Sequence, residues 1–354
     1  MKLCVYSDPH WCTYSSIIRS RGERFSKRLE NLIKSINWVE DLAKSHNCTS
    51  VFCLGDFFDK SELTAEELTA LQSIAWSDLS HNFLVGNHEM LMNSLEYSSA
   101  HIFNLKTKAH IYTEPKKFEF IDFELCILPF IPESDRKTII EYFGKKPNNK
   151  KRLIFSHNDL AGVNLGRYIS ETGFSLNDID ENCDLFINGH LHNSSWVSEK
   201  AFNLGNLTGQ NFSEDAFKYE HLAIIIDTET LHIDYYENPY AFNFYKIDYT
   251  NADIDIINET DFKMKNNAVL TIKCTEEDST YIRARYVPGC ERQGFPHNCL
   301  VSECRLVIQP TIDKTQNKEI ELNTIDHIKQ FTDYCIATFG DTETLRDELR
   351  EVVK

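Results

Sequence analysis

The residues able to do chemistry fall in five short stretches: Asp8-Pro9-His10, Gly55-Asp56-Phe57-Phe58-Asp59, Gly86-Asn87-His88-Glu89, Ser156-His157-Asn158-Asp159 and Gly189-His190-Leu191-His192. Carboxylate and amide oxygens mixed with imidazoles suit a divalent transition metal such as Mn²⁺, Fe²⁺ or Zn²⁺ better than Ca²⁺. Asp8, His10, Asp56 and one of the late histidines can hold one ion; Asp56, Asn87, His157 and the other late histidine can hold a second. Asp56 is the carboxylate both can share. Such a bridge brings two metals to about 3.5–4 Å, the spacing that clamps the attacking and leaving oxygens of an in-line displacement. The chemistry is phosphoester hydrolysis. His88, beside Asn87, is the expected proton donor to the leaving oxygen, and Asp59 the carboxylate expected to orient it and raise its pKa. Taken singly, each stretch reads as well as a capped turn, because glycine, asparagine and aspartate are turn residues. Their joint order, each behind an apolar run, carries the reading.

Side chains that must converge need rigid supports, and apolar strand-like runs stand in front of every stretch: residues 2–7, 51–54, 82–85, 153–155 and 184–187. Leu29, Leu32, Ile33, Ile36, Val39 and Leu42 recur at helical spacing, predicting a helix over 26–46. The strand–helix–strand order then implies a right-handed crossover to a neighbouring parallel strand, with Asp8 and His10 beside Asp56. Thr64 and Glu67 predict a capped helix running to Trp76. A further helix is expected over 91–105, strands at 111–112, 117–123 and 125–129, a helix over 136–143 ending at Gly144, and a hairpin of 221–227 with 231–236. A composition shift at 240–262 places a boundary near 246. Beyond it the pattern predicts strands at 268–274, 281–286 and 304–309 and helices at 325–339 and 344–353. The expected organisation is α/β: a catalytic domain over 1–245, a small α+β accessory domain over 246–312, and a C-terminal helical segment over 313–354.

The 354 residues are 42% hydrophobic and 12% aromatic, which fits a globular chain. No apolar run approaches the roughly 20 residues of a membrane span, and no leader pattern precedes the first strand; a cytoplasmic, unprocessed protein is expected. The eleven cysteines form no regular framework, so reduced thiols are expected. Cys290, His297, Cys299 and Cys304 lack tight metal-ligand pair spacing and read as loop and strand thiols. A net charge of −17 argues against a general nucleic-acid coat protein. Basic residues nevertheless crowd beside the motifs, at Arg19, Arg21, Arg24, Lys27 and Arg28 and again between Arg136 and Arg152. That keeps a polyanionic substrate in play, with Arg19, Arg21 and Arg24 as candidate DNA contacts.

The set Asp8-x-His10, Gly55-Asp56-x-x-Asp59, Gly86-Asn87-His88-Glu89, His157 and Gly189-His190-x-His192 resembles the calcineurin-like metallophosphoesterase superfamily. Within it the chain is similar to the SbcD-type nuclease subunits of double-strand-break repair, particularly bacteriophage versions, as are Gly205-Asn-Leu-Thr-Gly-Gln-Asn-Phe-Ser-Glu214 and Asn238-Pro-Tyr-Ala-Phe242. The resemblance implies a sandwich of two mixed β-sheets flanked by helices with a capping, DNA-binding domain behind it. It further implies two Mn²⁺ ions, exonuclease and endonuclease action on DNA, an SbcC-type coiled-coil ATPase partner docked through the C-terminal segment, and a homodimer formed through residues 62–106. It assigns His192 to the first ion, His190 to the second, and proton donation to His88. The chain departs from the nuclease pattern at Pro9, at Trp11-Cys12, and at Glu89, where aspartate is usual.

Overall fold

The computed structural model describes residues 1–15, 18–106, 108–163, 169–287 and 301–309. The chain opens with three short strands, β1 (Lys2–Tyr6), β2 (Ser50–Cys53) and β3 (Ser80–Leu84), followed by β4 (Ala109–Tyr112). They lie parallel, neighbour to neighbour. A second sheet follows from β5 (Lys116–Glu119), β6 (Phe123–Leu128), β7 (Lys151–Ser156), β8 (Leu185–Asn188), β9 (Ser195–Trp196) and β10 (Ala201–Asn203). The hairpin β11 (Leu222–Asp227) and β12 (Ile233–Glu237) then returns to the first sheet, β11 running antiparallel to β1. The sheet orders are β12-β11-β1-β2-β3-β4 and β9-β10-β8-β7-β6-β5. Both are mixed: the first is antiparallel only at its β11–β12 edge, the second at both edges.

Alternation explains how the sheets stack. Leu3 and Val5 point to one face of β1 and Cys4 and Tyr6 to the other, since successive side chains in a strand alternate. Leu3, Val5, Phe52 and Leu54 pack against Leu125, Ile127, Leu153, Phe155 and Ile187 of the second sheet, filling the sandwich. Cys4, Tyr6, Val51 and Cys53 meet Leu29, Leu32, Ile36 and Val39 of helix α1 (Lys27–Ser45), whose first turn is capped by Ser26 accepting from the Leu29 amide. Helices α3 (Ile139–Phe143) and α4 (Leu176–Asn182) cover the outer face of the second sheet. Thr64 and Glu67 form the expected capping box, but α2 (Ala65–Leu71) stops five residues short of Trp76.

Two expected elements differ. Instead of a helix over 91–105 the chain makes a hairpin of Met90–Leu91 with Ser94–Ser98 and then a 3₁₀ turn over Ser99–Leu105. Met92 and Asn93 both take φ of 55°, which forms a turn where a helix would need negative φ. Of residues 281–286, expected as a strand, 281–285 belong to helix α6 (Glu276–Arg285) and Tyr286 is its C-cap. Thr275 caps it, acidic residues fill its first turn, and Arg283 and Arg285 sit in its last; charges that suit the helix dipole outweigh a short alternating pattern.

Beyond Phe242, β13 (Asn243–Asp248), β14 (Ala268–Thr275) and β15 (Val301–Gln309) form a three-stranded parallel sheet with α5 (Ile254–Lys263) and α6 around its own core. Cys304 lies on β15 opposite Leu270. Cys290, His297, Cys299 and the helices expected at 325–339 and 344–353 lie outside the described residues. Among the described residues no helix is long and apolar enough to cross a membrane.

Candidate metal centre

The loops after β1 and β2 continue their strands' pairing. Asp8 N–H donates to the Gly55 carbonyl, His10 N–H to Asp56 (3.0 Å), and Trp11 N–H to Phe57 (2.6 Å). Asp8 and His10 therefore sit beside Asp56. The loops after β3, β7 and β8 bring Asn87, His157, His190 and His192 against them. Close approach is enforced by glycine: a Cβ on Gly86 would lie 2.1 Å from Asp56 Oδ1, and one on Gly55 2.3 Å from His157 Nδ1. Asp8, His10, Asp56 and His190 all hold positive φ, between 45° and 69°. Non-glycine residues in that region are strained, and such strain gathers where side chains must be aimed at one point.

Two donor clusters result, one of Asp8, His10 and His192 and one of Asp56, His157 and His190, with Asp56 also grouped with His10 and His88. The Nε2 atoms of His10 and His192 face each other at 3.1 Å. His157 Nε2 lies 3.1 Å from Asp56 Oδ2 and 3.3 Å from Asn87 Oδ1, and His190 Nδ1 lies 3.0 Å from the same amide oxygen. His157 Nδ1–H donates to the Leu54 carbonyl at 2.7 Å. In the neutral ring, Nε2 is then a lone pair facing two oxygens, which repel it unless a cation lies between.

The donor set fits divalent metal on a second count. Asp8 Oδ2 accepts from the His190 amide (3.0 Å) and the Ser7 hydroxyl, but Asp8 Oδ1 is buried with no hydrogen-bond partner. A buried carboxylate oxygen left bare costs several kcal/mol unless it is a ligand. The electrostatics agree. Burial pulls the His10 imidazolium down, yet Asp59, Asp8 and Asp56 overcome that and raise it to about 10. His157 is likewise raised to about 9, mainly by Asp56 and Asp8 against its burial. Asp56 is held far below the usual carboxylate range: His157 and His10 outweigh its burial.

Behind the inward-facing imidazoles stands a ring of acceptors. His10 Nδ1 meets Asp59 Oδ1 at 3.1 Å, His190 Nε2 meets Asp159 Oδ1 at 3.0 Å, and His192 Nδ1 meets Glu214 Oε1 at 2.8 Å. Acceptors so placed fix the tautomer and raise the basicity of metal-binding histidines. Sequence reasoning gave no role to Asp159 or Glu214. Asp159 follows His157 in a quoted motif, but Glu214 lies on a distant loop with no spacing signal.

Asp59 is placed differently from the expectation. Its carboxylate engages His10; His88 Nδ1 reaches only the Asp59 backbone carbonyl, at 3.3 Å. The short aspartate side chain turns inward to the buried ring, leaving His88 exposed at the mouth, edge-on to His10. Glu89 is buried, accepting from the Gly86 amide (3.0 Å) and the Phe58 amide (3.2 Å), and so ties the third loop to the second. Burial and the nearby Asp56 charge push its carboxyl up to about 8.

Arg19, Arg21 and Arg24 are exposed, Arg21 paired with Glu66 at 2.5 Å. Arg28 is buried and joins the Pro9 and Gly209 carbonyls, each at 2.9 Å. Arg152 is buried on Glu124, and Arg136 pairs with Glu133 and Asp159.

A profile described as calcineurin-like phosphoesterase matches residues 1–226. The chain belongs to that family. This phosphoesterase also aligns with an archaeal phosphodiesterase, at 14% identity and TM-score 0.36, covering 67% of this chain and 99% of that one. A protein from Thermus thermophilus aligns over 67% of this phosphoesterase and 98% of its own chain, at 7% identity and TM-score 0.37. A protein of unknown function from Aquifex aeolicus gives 19% identity and TM-score 0.27 over 56% and 82% of the two chains. No curated protein matches the chain.

Proposed function

We propose that this phosphoesterase is a two-metal DNA nuclease, cutting phosphodiester bonds as the partner of an SbcC-type coiled-coil ATPase in DNA recombination and repair. The observation that carries the reading is the pair of carboxylate–imidazole clusters, Asp8–His10–His192 and Asp56–His157–His190, linked by the grouping of Asp56 with His10 and the exposed His88. Asp8, His10, Asp56 and His192 would hold one divalent ion and Asp56, Asn87, His157 and His190 the other, with Mn²⁺ as the expected metal. When bound, such ions supply Lewis acidity toward the phosphoryl oxygens and an activated water. The chain's own groups do the rest. His88 Nδ1–H is anchored on the Asp59 carbonyl, and in the imidazolium form the second proton, on Nε2, passes to the leaving oxygen and leaves a neutral ring. Asp59, Asp159 and Glu214 hold the histidine rings in the tautomer that aims a lone pair inward.

Arg19, Arg21 and Arg24 are assigned to the DNA backbone. A second copy of the chain is assigned to the face of residues 62–106, where Leu68 and Leu105 are exposed, and the cytoplasm is the expected compartment. Degradation of end-labelled duplex with Mn²⁺, with and without the ATPase, tests the reading; turnover of small phosphate esters with no action on DNA refutes it. That outcome is the second reading, a stand-alone metallophosphatase or nucleotide phosphodiesterase. It is favoured by the net charge of −17 and by the internal engagement of Arg28, Arg136 and Arg152.

A further inference from the structure

A groove of about 810 Å³ opens where the β9–β10 edge and β12 meet helix α5. Its wall starts at Ser194, two residues after His192, so the backbones of the groove wall and of that ligand are within roughly 7 Å of each other. Its floor is aromatic. Trp196 lies 5.2 Å from Phe202, and Phe202 5.3 Å from Tyr235, while Phe217 sits on Tyr245 at 4.5 Å. Trp196, Tyr235 and Phe217 are 49%, 44% and 41% exposed, an unusual outlay of large rings on one concave surface. The rim carries Lys218, Lys263 and Lys265 together with Glu220, which lies 3.7 Å from Lys265. Acidic partners hold them in place: Asp215 for Lys218 (3.2 Å), Glu259 for Lys263 (2.7 Å) and Glu237 for Lys265 (2.5 Å).

Exposed rings with lysines at their rim are what a single strand of nucleic acid uses, because every base has a face to stack and every phosphate a charge to meet. We propose that this groove holds the single-stranded segment of the substrate next to the scissile phosphate, its bases on Trp196, Tyr235 and Phe217 and its phosphates at the lysine rim. The inference rests on the reading of the centre as one that cuts DNA. Because each lysine already has an acidic partner, stacking supplies most of the affinity. Three lysines limit the salt slope to about −2, and the pairing makes it shallower.

The test is anisotropy of a short fluorescein-labelled oligothymidylate with the whole protein in EDTA, where nothing is cut. Trp196→Ala and Tyr235→Ala should each weaken binding about tenfold, within the range for losing one stacked base, with unchanged melting temperature and a shallow salt slope. Equal affinity in wild type and both variants overturns the proposal, as does a slope steeper than about −2 or no binding at all; the last assigns the face to a protein partner. Cleavage is scored separately. A protein that cuts DNA with both variants binding normally loses the groove and keeps the nuclease; one that cuts no DNA but binds the strand through Trp196 loses the nuclease and keeps the groove.

Discussion

Replacing Glu214 by glutamine separates the two proposed ions. Glu214 is 2% exposed and its two oxygens are committed: Oε1 accepts from His192 Nδ1 at 2.8 Å and from Asn211 at 3.2 Å, and Oε2 accepts from the Gln210 amide at 2.8 Å. The amide of Glu214→Gln has one acceptor and one donor end. With its oxygen on His192, its NH₂ faces the Gln210 N–H, and a buried donor is left unmet at about 1–3 kcal/mol. Flipped, the NH₂ faces His192 Nδ1 and moves the proton to Nε2, the atom that points at His10. Either way the first ion should bind about 10–100-fold more weakly, the usual effect of losing a partner behind a ligand, or about 1.4–2.7 kcal/mol. The second ion, served by His190 on Asp159, should be unaffected. Mn²⁺ titration followed by electron paramagnetic resonance resolves the two. Loss of both ions together, or of neither, refutes the argument that Glu214 acts through His192.

His88→Ala should keep both ions and lower turnover about 10²–10⁴-fold; an unchanged rate at saturating metal removes His88 as the donor. Asp59→Asn should weaken the first ion by acting on His10, and a variant with normal metal affinity but slowed turnover would restore the expected pairing with His88. In EDTA the protein should lose stability as pH rises. His10 and His157, raised to about 10 and 9, and Glu89, raised to about 8, all bind protons more tightly folded than unfolded. The stability that they contribute is complete below the unfolded values, about 6.5 for histidine and 4.3 for glutamate, and fades as pH passes the folded ones. A melting temperature that stays level from pH 6 to 10 would contradict this, and added Mn²⁺ should flatten the fall.

The inward-facing side chains were legible because each follows an apolar strand, and a parallel sheet puts the ends of its strands together. Asp8 and Asp56 are a pairing consequence of Leu3 to Tyr6 running beside Ser50 to Cys53. The partners behind the histidines were not legible, because Glu214 reaches His192 through loop geometry that no period encodes. The contact of the Asp59 carboxylate with His10 was not legible, because His10 and His88 both stand near Asp59 and no spacing decides between them. The hairpin at 90–98 escaped notice because its one turn-forming residue, Asn93, follows Met92, a residue type rarely found at positive φ, and α6 because capping and charge outweighed alternation.

The position of β1 bears on how the chain is made. Its partner on one side, β2, follows within fifty residues, but β11, its partner on the other, arrives only after the whole second sheet. At roughly 5–20 residues per second, ribosomal synthesis leaves one edge of Leu3-Cys4-Val5 unpaired for about 10–40 s. An unpaired apolar edge is a template for pairing with another chain, so nascent copies on one messenger face a window for misassembly. The same delay means that the first sheet closes around a second sheet already in place, which makes the centre between them a late product of synthesis.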